Sequence, residues 1–389
     1  MADQRRTPGS QTSLREANRS RIIDAVKKHG GLTQVELAGA TGLSPASVSN
    51  IVKELSSSGI LHTAPSTRSG RRAQYVTLAR RLGLVAAVDF SERHMRVALA
   101  DSAQTILAEK HMPLARDHRA DNELDRTMMM LADMLDSVDA GMDEVLTLCV
   151  GLPAPLVRTT GVIARRGILR GWDGIPVAEV LERRLNRRVF VDNSSNLAAL
   201  AEHRYGSSRG INTSIFINVD DGIGAGLILN GEVFRGRNGT AGEVGHMTIL
   251  ENGPLCRCGS RGCLEAIAGG AAILEGLRDH LGSLKLNEVV VHAMAGDAAC
   301  LRAVADAGRH IGIAAANLSN VFDPERIVVG GQLARAGEIL LGPLRHTVER
   351  SVIVEQEIMP DIVQGQLGNR AALLGAVAHA VDSMHIATG

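Results

Sequence analysis

Cys256, Cys258 and Cys263 stand within eight residues, in the segment Cys256-Arg-Cys-Gly-Ser-Arg-Gly-Cys263, ten residues beyond His246. Three thiolates and one imidazole make a closed tetrahedral donor set suited to structural zinc, one ion per chain. No ligand position stays open, so such an ion organises a loop and does not activate water. Gly259 and Gly262 let the chain turn tightly enough to face three sulfurs toward one point. The alternative is that the cysteines are simply buried or redox active, and their clustering on a Gly-rich polar loop argues against it. Cys149, in an apolar strand, and Cys300, in a helical stretch, read as ordinary buried thiols.

A second group of side chains suits nucleic acid. Asn50 can bond an adenine through paired hydrogen bonds, and Ser47 can reach a base edge. Arg68, Arg71 and Arg72, with Arg5, Arg6, Arg15, Arg19 and Arg21, can neutralise phosphates and release counterions. The expected DNA-contacting set is Ser44, Ser47, Ser49, Asn50, Lys53, Arg68, Arg71 and Arg72. A solvated basic bundle or a protein-docking module is the competing interpretation.

The elements that must position these groups are legible nearby. Ser13-x-x-Glu16 forms a capping box for a first amphipathic helix that ends near His29-Gly30-Gly31. Thr33-x-x-Glu36 opens a short second helix, which stops at Thr41-Gly42. Ser44 caps a third helix with Pro45 at its first position, and Val48, Ile51, Val52 and Leu55 give it a buried face. Ile60-Leu61-His62 and Tyr75-Val-Thr-Leu78 flank the basic tip Arg68–Arg72 as a two-stranded wing. The pattern is a winged helix-turn-helix.

Charge agrees with this division. Residues 1–81 carry 13 basic and 5 acidic side chains, whereas the remainder carries 29 basic and 37 acidic. A basic head therefore precedes an acidic body. With 389 residues and 45% apolar content the chain holds several cores. It has no uncharged apolar run long enough to span a membrane. Its polar N-terminus lacks a signal-peptide core, so a cytoplasmic location is expected. Beyond residue 84, apolar strands alternate with helices, as in a layered α/β body of two lobes around a cleft. In the helix over 122–138, Met128-Met-Met130 reads as core filler, and the lone tryptophan, Trp172, as packing or a cleft wall.

Glu243-x-Gly-His246, followed by Cys-x-Cys-Gly-x-x-Gly-Cys-x-Glu265, resembles the signature of the ROK family of repressors and sugar kinases. Gly222-Ile-Gly-Ala-Gly226 resembles that family's second phosphate loop, Ile327-Val-Val-Gly-Gly331 its nucleotide-side strand and turn, and Val191–Asn196 the segment that carries the kinase base. The resemblance implies a two-lobed, actin-like ATPase fold behind the winged helix-turn-helix of residues 1–81. The expected small lobe covers 82–192 with 371–389, and the large lobe 193–370 with the zinc loop. It also implies that Asn193, Glu243, His246 and Glu265 hold sugar hydroxyls, with His246 serving both metal and ligand.

Departures from the kinase pattern point away from catalysis. Asn193-Ser194-Ser195-Asn196 has serine where family kinases place a carboxylate base, and serine cannot take a hydroxyl proton at neutral pH. Asp89-Phe-Ser-Glu-Arg93 lacks the glycines of a first phosphate loop, and Asp220-Asp221 opens the second with two carboxylates. No catalytic residue is therefore expected. The expectation is a sugar-responsive regulator that binds a palindromic duplex operator as a homodimer or homotetramer, with a sugar or sugar derivative as effector and no membrane partner. A sugar kinase with an appended DNA-binding domain is the alternative.

Overall fold

The computed structural model describes residues 11–68, 71–115 and 117–386. Its head contains helices Gln11–His29, Gln34–Thr41 and Pro45–Ser57, with strands β1 (Leu32–Thr33), β2 (Leu61–Arg68) and β3 (Arg71–Leu78) ordered β1-β3-β2. Local chemistry explains each boundary. The Thr33 hydroxyl accepts from the Glu36 N–H at 3.2 Å, and the Glu36 carboxylate accepts from the Thr33 N–H at 2.7 Å. A cap of this kind contributes about 1 kcal/mol. Gly42 ends the second helix at φ +68°, a left-handed conformation that glycine adopts without steric cost. Ser44 caps the third helix, with Pro45 in its first turn. Val48, Ile51, Val52 and Leu55 then pack against Ile22, Ile23 and Val26. The first helix differs from the sequence expectation: it already runs from Gln11, so Ser13 lies inside it.

The body holds two five-stranded sheets built to one plan. The first contains β4 (Leu84–Phe90), β5 (His94–Asp101), β6 (Ile106–Pro113), β7 (Val145–Leu152) and β8 (Arg188–Asn193), in the order β6-β5-β4-β7-β8. The second contains β9 (Ser214–Val219), β10 (Ile223–Leu229), β11 (Glu232–Val233), β12 (Arg326–Gly330) and β13 (Asp361–Gln364), in the order β11-β10-β9-β12-β13. In each, three antiparallel strands are followed by two added in parallel. The central strands β4 and β9 are almost wholly buried, which accounts for their apolar runs Leu84–Val88 and Ile215–Ile217.

Helix Ala371–Asp382 returns to lie on β4 and β7, while helix Ser194–Tyr205 lies on β9 and β10. Trp172 is fully buried, edge-on to Phe90 at 4.8 Å between ring centroids, so it packs and does not wall the cleft. Helix Ala120–Ser137 corrects the methionine expectation in part: Met128 and Met130 pack against the core, but Met129 is 71% exposed. Among the described residues, no helix is long and apolar enough to cross a membrane.

Candidate functional site: a cleft, a cysteine cluster and a reading helix

The carboxyl ends of β4, β7 and β8 face those of β9 and β12 across a cleft that opens to solvent. Ligands of open α/β sheets bind at such ends, because the loops that leave them converge there. Asn193, Glu243, His246 and Glu265 all line this cleft. Asn193 caps helix Ser194–Tyr205 by accepting from the Ser195 N–H at 2.7 Å. Its amide nitrogen donates to the Ala154 carbonyl at 3.1 Å and points to Glu243 Oε1 at 3.5 Å. Burial, with the Glu265 charge adding to it, pushes the Glu243 carboxyl up to about 7, against an opposing effect from Arg257.

Ser194 donates its hydroxyl proton to Asp89 Oδ1 at 2.8 Å. Asp89 is pushed up to about 7, first by burial and further by Asp220, against the stabilising Ser194 bond. Asp220 in turn accepts from the Gln332 N–H at 2.7 Å and from the Asn218 amide at 3.1 Å. A carboxylate thus occupies the backbone donor at the turn after β12.

The four cysteine-cluster donors lie within 4.8 Å of one another. Cys256 Sγ is 3.5 Å from His246 Nδ1, and Cys258 Sγ is 3.7 Å from Cys263 Sγ. Tetrahedral zinc with bonds of about 2.3 Å to sulfur and about 2.0 Å to nitrogen needs S···S near ~3.8 Å and N···S near ~3.5 Å. These two separations match that geometry, and the chemistry of the donor set suits a metal ion. All three cysteines are buried against the apolar cluster of the β4 sheet, although their loop follows β11. His246 offers Nδ1 to the cluster, while its Nε2 lies 4.0 Å from Glu243 Oε2 on the cleft side.

Sequence reasoning missed the side chains that lace the cleft mouth. Arg257, between two of the cysteines, donates to both Glu265 oxygens, at 2.7 and 2.9 Å, and also pairs with Glu92. Arg93 donates to Asp221 Oδ2 at 2.8 Å. Glu92 and Arg93 stand on the β4–β5 turn, whereas Asp221 and Arg257 follow strands of the other sheet, so these pairs cross the cleft. The two carboxylates of Asp220-Asp221 are partnered and do not stand as bare charge.

On the head, Ser44, Ser49, Asn50 and Lys53 are exposed along or just before the third helix, and Ser47 is half-buried. The Ser47 hydroxyl pairs with Ser44 Oγ at 2.9 Å, and Glu54 holds Arg15 at 2.7 Å and Arg19 at 3.3 Å. Among the described residues, Ser49, Asn50 and Lys53 make up the face that no side-chain partner occupies. Arg15 and Arg19 are committed to the protein. Arg68, Arg71 and Arg72 flank the tip of the β2–β3 hairpin; their side chains, with Arg5 and Arg6, lie outside the described residues.

A model described as the ROK family matches residues 85–383, which is the whole cleft-bearing body. This chain belongs to the ROK family. A winged helix-turn-helix DNA-binding model matches residues 15–61. A putative xylose repressor of Caldicellulosiruptor sp. (strain Rt8B.4) is 26% identical over 97% of this chain and 98% of its own length. The DNA-binding transcriptional dual regulator NagC of Escherichia coli (strain K12) is 29% identical over 96% and 95%. A solved ROK family transcriptional regulator, a homologue of the E. coli MLC protein, superposes with a TM-score of 0.77 at 22% identity over 95% of this chain and 97% of its own. The ROK family glucokinase of Streptomyces griseus, in complex with glucose and AMPPNP, superposes with a TM-score of 0.69 at 26% identity, over 77% of this chain and 99% of its own. The xylose repressor, NagC and the transcriptional regulator thus match this chain nearly end to end, whereas the glucokinase covers about three quarters of it.

Proposed function

We propose that this ROK protein is a sugar-responsive transcriptional repressor without phosphotransferase activity. The observation that carries the reading is the Ser194–Asp89 hydrogen bond: a hydroxyl that donates a proton stands where a kinase needs a carboxylate that accepts one. Asp220 on the Gln332 N–H supports it, because a nucleotide phosphate would meet a carboxylate there.

The cleft is assigned to a sugar or sugar derivative. Asn193, Glu243, His246 Nε2 and Glu265 supply the amide, carboxylate and ring donors and acceptors that fix hydroxyl orientation. The three cysteines and His246 Nδ1 are assigned to one structural zinc ion, which when bound contributes rigidity to the loop and takes no part in chemistry. The units that close on the ligand are residues 82–192 with 371–389, and residues 193–370. Two copies related by a two-fold axis place two third-helices on the half-sites of a palindromic operator, with Asn50 and Ser49 toward base edges and Lys53 and the wing arginines on phosphates. A ligand that favours one lobe arrangement lowers operator affinity only by its unequal affinity for the two states.

A sugar kinase with an appended head is the second reading, favoured by the likeness of the body to the S. griseus glucokinase. Incubating the purified chain with ATP, magnesium and a panel of hexoses separates the two. The repressor reading expects no sugar-dependent ADP above background, together with recovery of a discrete set of fragments from the host genome. Steady turnover with any sugar contradicts it.

A further inference from the structure

Helix Ser194–Tyr205 starts at the ligand cleft and ends one side chain, Gln104, away from the DNA-binding head. Its first turn carries Ser194 on Asp89, with Asn193 as its cap. Its last residue, Tyr205, is half-buried and donates its hydroxyl proton to Gln104 Oε1. The same Gln104 side chain donates through Nε2 to the Lys27 carbonyl at 2.9 Å, in the last turn of the head's first helix. Twelve residues of helix span about 18 Å, so one element runs from the cleft to the Gln104 side chain that meets the head.

The helix is clasped by both halves of the body. A Cβ on Gly226 of β10 would come within 2.3 Å of the Ser195 carbonyl, and one on Gly375 of helix Ala371–Asp382 within 1.8 Å of the Leu197 carbonyl. Backbone therefore meets backbone on both sides, and sliding of one sheet relative to the other cannot leave the helix in place. The head end is also anchored. Lys27 is buried and donates to the Met384 carbonyl at 2.6 Å, Lys28 pairs with Glu232 of β11, and Arg204 pairs with Asp382. Gln104 itself sits at φ +66°, a left-handed conformation rare for a side-chain-bearing residue, in the turn that joins β5 to β6. Such strain persists where surrounding contacts hold it.

We propose that helix Ser194–Tyr205 is the relay by which the cleft governs the head, and that Gln104 is the positioning residue that passes its movement to the Lys27 carbonyl. This rests on the repressor reading and names the route by which it works. The relay requires a two-state element biased from both ends, and the clasped helix is that element.

The experiment measures the affinity of the full chain for a genome-selected duplex, with and without each of D-xylose, D-glucose, N-acetylglucosamine and their phosphates. It is repeated for Tyr205→Phe, which removes one hydroxyl, and for Gln104→Glu, which still accepts from Tyr205 but cannot donate to Lys27. Thermal shift with the same sugars reports cleft occupancy separately. The expected result is that sugar binding and sugar-free DNA affinity stay within about twofold, while the sugar-induced change in DNA affinity collapses toward unity in both variants, from a starting value on the order of 5–150-fold. If the unaltered chain responds to a sugar and both variants respond equally, the relay is overturned and the repressor reading stands. If no sugar alters DNA affinity in the unaltered chain, the repressor reading falls and the relay with it.

Discussion

The Ser194 hydroxyl lies 2.8 Å from Asp89 Oδ1 and donates to it, joining the start of the inter-sheet helix to the end of β4. The bond stabilises a carboxylate that burial otherwise disfavours.

Replacing Ser194 by aspartate sets two carboxyls in contact in a buried site, where both cannot ionise cheaply. We expect Ser194→Asp to lose stability, by about 1–3 kcal/mol on the scale of a buried unpaired charge, and to gain no ATP turnover, because Asp220 still covers the Gln332 N–H. Calorimetric melting and a coupled ADP assay check this. A variant as stable as its parent and active on a hexose contradicts it.

Asp89 gives a pH signature. Its carboxyl is raised from 3.8 to about 7 in the folded protein, so its ionisation costs folding stability increasingly as pH rises through that range. Asp89→Asn keeps an acceptor for Ser194 and removes the titration. The melting temperature of Asp89→Asn minus that of the unaltered chain should therefore be more positive at pH 8 than at pH 5.5. An equal difference at both values shows that burial of Asp89 is not what the two temperatures report.

Metal removal should loosen both the loop and the cleft wall, since the three cysteines are buried against the β4-sheet cluster and Arg257 between them holds Glu265. We expect one zinc per chain by elemental analysis, a loss of that metal in Cys258→Ser, and a lower melting temperature after chelation that added zinc restores. Metal-free protein with an unchanged melting curve contradicts a structural role.

The head's ion pairs separate true phosphate contacts from internal ones. Arg15 is held by Glu54, whereas Lys53 is exposed on the third helix and has no ion-pair partner among the described residues. Lys53→Ala should reduce the slope of log affinity against log salt by about one contact, and Arg15→Ala should leave it unchanged. Asn50→Ala should weaken binding about 10- to 100-fold, on the scale of 1–3 kcal/mol for a paired base contact. Equal salt slopes for all three variants would contradict this division.

The parts of the molecule that were legible beforehand are those whose signals are local. Thr33 and Glu36, Ser44 and Pro45, and Gly42 each mark a helix end within four residues, and the head follows from them. The cysteine spacing marks the donor cluster in the same way, and apolar strands alternating with helices mark the layered body. What was missed joins residues far apart in the chain. Arg93 meets Asp221 across 128 positions and Tyr205 meets Gln104 across 101, and no periodicity or spacing carries such pairs. The pairing of Glu54 on the third helix with Arg15 and Arg19 on the first is of the same kind, since only the packing of the two helices brings them together. Met129 was misjudged because a run of three methionines reads as apolar throughout, while this helix, packed on one face only, turns the middle one outward.

Fluorescence anisotropy of a genome-selected duplex, titrated with the purified chain in the presence of a library of pentoses, hexoses, N-acetylhexosamines and their phosphates, tests the central claim most directly. Salt-dependent, saturable binding that at least one library member weakens fivefold or more, with no ATP present, is the expected result. Binding that no member alters, or no binding to duplex at low salt, contradicts a cleft that governs a DNA-reading head.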